Sequence, residues 1–311
     1  MSSADVTAVV VSYNTRDLLL DCLRALALER VGSVVVVDND SSDGSADLVD
    51  SEFPDIVLVR NQENVGFARA VNQALVDVSS KYVLLLNPDT SVAPGALAKL
   101  RAVMEADGQV AAVGPSIHHP DGRARVLSAG CQPSLWRVFA HYSGLSRMSG
   151  FSPVLNGWQH RIGIHDQNPI EVGWLSGACL LCRTEAVRGI GYLSERWFMY
   201  AEDLELCARL TDSGWRLVHL PSVLVYHLVG ASSSSSPSVS TAWVDSLKDY
   251  YRYRWQPARV TDLAWRVTLA GGLGARSVAY FIQSARSPDT RRMWRFEARK
   301  FAAYSRAAIH R

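Results

Sequence analysis

Acidic and imidazole side chains recur at points in this chain where a strand should end or a helix should begin. Residues 82–90 read Tyr-Val-Leu-Leu-Leu-Asn-Pro-Asp-Thr. The apolar run predicts a buried strand over 82–86. Pro88 cannot continue a central strand, so the chain must turn there. That turn leaves Asp89 at the carboxyl end of a parallel strand, the edge at which open α/β sheets bind ligands. A carboxylate so placed can hold a hard divalent cation, with a substrate diphosphate completing the shell. The plainer reading is a turn that caps the next helix. Further on, Glu202 and Asp203 open a helical stripe containing Leu206 and Leu210, where paired acids can also simply favour the helix dipole.

The elements that must position these groups follow from periodicity. Strands are predicted over 7–11, 33–37, 56–59, 82–86, 111–114, 215–219 and 223–227, and helices over 15–28, 67–78, 93–104 and from Glu202. Pro94 is expected in the first turn of the helix over 93–104. Strand and helix alternate, which implies a doubly wound parallel sheet. The strands end in Ser12 and Asn14, in Asp38, just before Asn64, and at Asn87 and Asp89. Helix capping explains each polar end singly; a shared pocket explains the set. No Gly-x-Gly-x-x-Gly follows the first strand and no P-loop pattern occurs, so neither phosphate-binding fingerprint is present.

Composition is that of an ordinary globular protein, 48% hydrophobic and 20% charged over 311 residues. The charge is uneven. Residues 240–311 hold 14 Lys/Arg against 5 Asp/Glu, and the remainder 18 against 25, so a net of +9 sits beside a net of −7. A basic appendage of this kind meets an anionic surface, nucleic acid or an acidic partner. The five cysteines show no disulfide framework, and Cys179 and Cys182 read as a buried structural pair. The amino terminus lacks the basic and apolar regions of a signal peptide, so a reducing cytoplasm is expected.

Four ordered stretches carry a family resemblance: Val-Val-Val-Ser-Tyr-Asn over 9–14, Val-Val-Asp-Asn-Asp-Ser-Ser-Asp-Gly-Ser over 36–45, Asn-Val-Gly-Phe-Ala-Arg-Ala-Val-Asn over 64–72, and Leu-Asn-Pro-Asp over 86–89. Together with Trp-Phe-Met-Tyr-Ala-Glu-Asp-Leu-Glu-Leu over 197–206, the chain resembles the family 2 inverting glycosyltransferases. Within that family it looks most like the bacterial rhamnosyltransferase group, over roughly residues 6–232. The resemblance implies an α/β, A-type glycosyltransferase (GT-A) fold.

It also implies roles. Asp38 would accept a hydrogen bond from a pyrimidine base, chemistry suited to an acceptor-only carboxylate. Ser12, Asn14, Asn64, Gly66, Asn72 and Asn87 would line the nucleotide pocket, and Gly66 would let backbone approach the ligand. Asp89 matches the last position of the family's Asp-x-Asp metal motif, whose first position here is the neutral Asn87. His227 would ligate the metal, Mg2+ or Mn2+, or touch the diphosphate. Trp174, Ser176 and Gly177 match the segment that binds acceptor and donor sugar. Asp203 would be the general base and Glu202 its support. With an unperturbed pKa near 4, such a base takes its proton late, in concert with attack.

The expected domains are residues 1–236, nucleotide-sugar-binding and catalytic, and 237–311, a basic, aromatic-rich helical region. The poorly periodic stretch 130–169 is expected to be a lid or acceptor loop, and the serine run 232–236 a mobile linker. His118 and His119 are expected at a hairpin tip, exposed to solvent. The tail suits helices lying on an anionic bilayer; a packed subdomain or homodimer interface is the alternative, and no nucleic-acid motif is present. Tyr251 stands where processive members carry Gln, which argues against a polymerising synthase. The expectation is an enzyme, cytoplasmic and peripheral at the membrane's inner face. By the resemblance it would transfer a deoxysugar, rhamnose from dTDP-rhamnose, to a lipid-linked cell-wall or polysaccharide precursor of the GlcNAc-diphosphate-polyprenol type; its partners would be a dTDP- or UDP-linked donor and a polyprenyl-diphosphate-linked sugar. The rivals are a sugar nucleotidyltransferase, which lacks the basic phosphate loop it would need, and a catalytically silent assembly adaptor.

Overall fold

A computed structural model describes residues 5–29, 31–119, 128–159, 167–228 and 239–310. The chain divides into two compact units, Met1–Ala129 with Ile162–Ser235, and Gly130–Arg161 with Ser236–Arg311.

The first unit opens with β1 (Val6–Ser12), α1 (Arg16–Glu29), β2 (Ser33–Asp38), α2 (Ser45–Glu52), β3 (Val57–Arg60), α3 (Phe67–Leu75) and β4 (Tyr82–Leu86). Every residue of β1 and β4 is buried, as expected of strands covered by helices on both faces. β3, β2, β1 and β4 are parallel neighbours in that order. The alternation then breaks. After β4 come β5 (Thr90–Val92), α4 (Ala96–Ala106), β6 (Val110–His118) and β7 (Ala129–Gly130). Asn-Pro-Asp-Thr therefore leads into a short strand rather than directly into a helix. α4 starts at Ala96, later than expected, and its first turn is capped from a distance: the Glu29 carboxylate accepts from the backbone N–H groups of Gly95 and Leu97.

The chain continues, after α5 (Leu135–Ser143), with β8 (Ile170–Glu171), β9 (Trp174–Leu175), β10 (Cys179–Arg183), α6 (Thr184–Gly189), α7 (Glu202–Asp212) and β11 (Arg216–His227). β10 is inserted antiparallel between β4 and β6. β11 runs parallel to β6 and antiparallel to β5 and β8. The two short strands expected over 215–227 are one strand whose register with β6 slips between Leu220 and Leu224. Pro221 lies in the slip, where a residue without N–H does least harm to the ladder. Cys179 and Cys182 are buried free thiols on β10, as expected. Asp121 and Gly122 of the expected hairpin tip lie outside the described residues, as does the serine run. His118 closes β6 and His119 follows it.

The second unit consists of α5 with α8 (Ala242–Trp255), α9 (Arg259–Arg286) and α10 (Arg291–Ile309). Residues 130–159 are thus not a structureless loop. Ser134 caps α5 by accepting from Arg137 N. The Trp265 indole stacks on Tyr251 at 4.4 Å and donates to Pro133 O at 2.8 Å. A Cβ at Gly272 would lie 2.0 Å from the Tyr142 ring, so only glycine permits that approach. Among the described residues, no helix is long and apolar enough to cross a membrane.

Candidate active site

The site is built at the carboxyl edge of β1, β2 and β4. Register places Ser12 opposite Asp38. Asp38 is 3% exposed; one carboxylate oxygen accepts from Ser41 N at 2.9 Å, and the other is buried without a hydrogen-bond partner. Asn14, at φ 52°, ties the two strand ends together by accepting from Ser42 N at 2.8 Å while its own N–H donates to Ser41 Oγ at 2.9 Å. The Ser12 hydroxyl bonds to Thr15 at 3.1 Å, inside the turn.

The next residue, Asn39, carries the connection onward. Its amide donates to Asn64 Oδ1 and Gly66 O, at 3.3 and 3.2 Å. Asn64 in turn accepts from Gly66 N at 3.0 Å. Gly66 has φ 84°, and a Cβ there would meet Phe198 O at 2.6 Å. The glycine is thus needed for close approach of the loop ahead of α7, where Phe67 N donates to Phe198 O at 2.9 Å. Asn72 faces elsewhere. It clasps the loop at Leu193–Glu195 through three hydrogen bonds of 2.9 to 3.0 Å, so its place is that of a brace behind the pocket.

Asn87, Asp89 and His227 form the second cluster. β5 pairs with β11 so that Thr90 lies opposite His227. The His227 Nε2 sits 2.9 Å from Asp89 Oδ1 and 3.3 Å from the Asn87 amide. His227 Nδ1 is buried without a partner. Gly230 and Ser232, which complete the His-x-x-Gly-x-Ser match, lie outside the described residues. A carboxylate oxygen, an amide and an imidazole suit a divalent cation. Among the described residues no group of three or more His, Cys, Asp or Glu could hold a metal.

Glu202 and Asp203 begin α7 after a strained entry: Tyr200 and Ala201 both have positive φ, 70° and 71°. Asp203 accepts from Gly177 N at 3.1 Å and Leu204 N at 2.8 Å. Burial lifts its pKa, and those N–H bonds oppose the lift. The expectation of an unperturbed base is thereby corrected. Glu202 is raised as well, to about 8, by burial first and then by the neighbouring Asp203 charge, and its Oε2 has no partner. A pair so close holds one negative charge more readily than two. The folded state keeps a proton that the unfolded chain releases above 4.5, so stability is highest below that pH and falls as pH rises toward about 8. Glu202→Gln should flatten this limb in denaturant titrations run between about pH 5 and 8; an unchanged slope would mean that Glu202 ionises normally.

These groups form one connected set. From Asp38 the path runs through Asn39 to Gly66 and then Phe198. Tyr200 follows; burial, then the charges of Glu202 and Asp89, hold its phenol above the usual range. Asp203 leads to Gly177, and Ala178 O accepts from Asn87 N at 3.0 Å, next to Asp89. Ser176 stabilises this turn, its N–H donating to Ser128 O at 2.9 Å and its hydroxyl accepting from Ala178 N. Trp174, on β9, is 4% exposed and so sits in the protein interior. Asn39 and Tyr200 were not singled out from sequence. Asn39 had a signal, a second amide directly after a strand-end carboxylate; Tyr200 had none, because its strain and position depend on α7 packing.

A model described as Glycosyl transferase family 2 matches residues 7–146, and one described as Glycosyl transferase family group 2 matches residues 82–288. An N-acetylglucosaminyl-diphospho-decaprenol L-rhamnosyltransferase of Mycobacterium tuberculosis is 32% identical, the alignment spanning 95% of this chain and 99% of that one. Among solved structures, a mannosyltransferase from Pyrobaculum calidifontis, in complex with GDP-Man and Mn2+, aligns with TM-score 0.60 at 18% identity, over 98% of this chain and 85% of that one. GalNAc-T7 with UDP, GalNAc and Mn2+ aligns with TM-score 0.54 at 16% identity, over 79% and 49%. The chain belongs to glycosyl transferase family 2 and has the GT-A fold, a mostly parallel sheet flanked by helices with a helical C-terminal part. It is a glycosyltransferase.

Proposed function

We propose that this enzyme transfers rhamnose, with inversion, from dTDP-rhamnose to a polyprenyl-diphosphate-linked N-acetylglucosamine at the inner face of the cytoplasmic membrane. One observation carries the reading of a donor pocket. Asp38 Oδ2, Glu202 Oε2 and His227 Nδ1 are buried polar atoms without partners, and all belong to the same connected set. Such atoms are costly unless a ligand satisfies them. The choice of sugar and acceptor rests on the similarity to the Mycobacterium L-rhamnosyltransferase, which acts on N-acetylglucosaminyl-diphospho-decaprenol.

In this mechanism the free oxygen of Asp38 accepts the imide N–H of the pyrimidine. Asn64 and Gly66 tie the loop ahead of α3 to Asn39 and to Phe198, framing the nucleotide side of the pocket, and Ser12 and Asn14 shape the turn beside it. Asp89 and His227, with Asn87 beside them, would hold Mg2+ or Mn2+, which when bound offsets negative charge on the departing diphosphate. Asp203, fixed by two backbone donors, removes the proton from the acceptor hydroxyl as the bond from the anomeric carbon to the diphosphate breaks. Inversion requires one base and no covalent nucleophile, and Glu202, holding its proton, keeps the pair from repelling itself. The Ser176–Gly177 turn lies where base and acceptor meet.

A thermal-shift panel of nucleotide sugars, with and without Mg2+ or Mn2+, tests this reading. The true donor should raise the melting temperature through linkage, dTDP-rhamnose more than purine-linked sugars, and Asp38→Ala should erase the preference. A panel without any shift would overturn the donor assignment.

A further inference from the structure

The C-terminal unit presents an uncovered surface of a definite kind. Helix α9 turns Trp265, Leu269 and Leu273 inward. It meets α10 along Ala270, Ser277 and Tyr280: Ser305 Oγ donates to Ala270 O at 2.8 Å, Ser277 Oγ to Ala298 O at 2.7 Å, and the Tyr280 and Trp294 rings stack at 5.3 Å. Contact partners fall as α9 numbers rise, so the two helices are antiparallel.

On a helix with about 3.6 residues per turn, Val260, Leu263, Val267, Val278, Phe281 and Ile282 share one stripe, turned away from the buried face. They are 46 to 80% exposed. The other positions on that stripe are glycine or alanine, so no polar side chain interrupts it. On α10, Arg291, Arg292, Arg295, Arg299 and Arg306 share an exposed row. None of them pairs with a carboxylate among the described residues. Looking along α9, the apolar stripe lies about a quarter turn clockwise from the α10 contact. α10 runs the opposite way, and its row lies about a third of a turn counter-clockwise from the same contact. Both therefore open to the same side.

We infer that this composite face of α9 and α10 docks on an anionic phospholipid bilayer, the apolar stripe entering the acyl boundary and the arginine row lying among headgroup phosphates. The helices lie on the membrane, since none described can span it. A second copy of the chain suits the face less well. It would bring more arginine, while three of the five acids over 240–311, Asp245, Asp262 and Glu297, already pair with Lys248, with Arg252 and Arg266, and with Lys300. The inference rests on the proposed lipid-linked acceptor for its purpose, but its test does not depend on turnover.

The full chain should co-sediment with phosphatidylcholine–phosphatidylglycerol vesicles, less so at high salt, and far less with phosphatidylcholine alone. Replacing Arg292 and Arg295 by Gln should weaken binding about thirtyfold, from about fivefold per arginine. Val267→Asp with Phe281→Asp should abolish it while the circular dichroism spectrum and the donor-induced thermal shift persist. Equal binding to neutral vesicles, or indifference to both variant pairs, would overturn the proposal. So would a lipid-free dimer that the aspartate pair dissociates, since that would assign the face to a second copy. Loss of the donor shift in the parent chain would instead strike the catalytic reading and leave the vesicle result standing.

Discussion

Asp203→Asn is expected to lower glycosyl transfer by about 10²- to 10⁴-fold, the usual contribution of a positioned base, while donor binding is kept. The amide keeps the shape of the side chain, and its oxygen can still accept from Gly177 N or Leu204 N, so the α7 entry should survive. What it loses is the capacity to take a proton. A carboxylate whose pKa is raised by burial is a stronger base than a solvated one, and removing it costs correspondingly more. Single-turnover transfer and donor titration on the same preparation separate the two effects. Full activity would remove Asp203 as base; lost donor binding together with a lowered melting temperature would make it structural.

Asp89→Ala should reduce transfer by a comparable factor and should also abolish the extra stabilisation that Mn2+ gives in the presence of donor. The substitution takes the one carboxylate from a cluster whose other members, Asn87 and His227, carry no negative charge. With Asn87 where the family motif has an acid, little anionic charge remains to retain a cation. EDTA should mimic the variant in the parent enzyme and change nothing further in Asp89→Ala. Transfer indifferent to EDTA would reject the metal role.

The parallel half of the fold was legible because β1 and β4 are covered on both faces, so hydrophobic runs mark their limits. Strand direction was not. An apolar run such as Cys179–Arg183 looks the same whichever way it enters a sheet, and β10 enters antiparallel. α5 escaped because its short stretch mixes Trp, His, Tyr and Ser, and part of its anchoring comes from Gly272 and Trp265, more than 120 residues away. The candidate site followed the same division. Asp38, Asp89 and Asp203 sit at element ends that pattern alone could locate. The brace made by Asn72 depends on a loop 121 residues distant, and the raised pKa of Asp203 depends on a burial that no local motif encodes.

The antiparallel strand has a consequence for how the enzyme comes into being. β10 covers the second edge of β4, nearly a hundred residues after β4 has been made. Until then the nucleotide-side sheet ends in a bare, wholly apolar border, the kind that invites wrong pairing. The strand that closes it is the one to which the Ser176–Gly177 turn leads directly. Asp203 on α7 and His227 on β11 follow β10 in the chain, so the candidate site is gathered only after the strand that closes this border has been made.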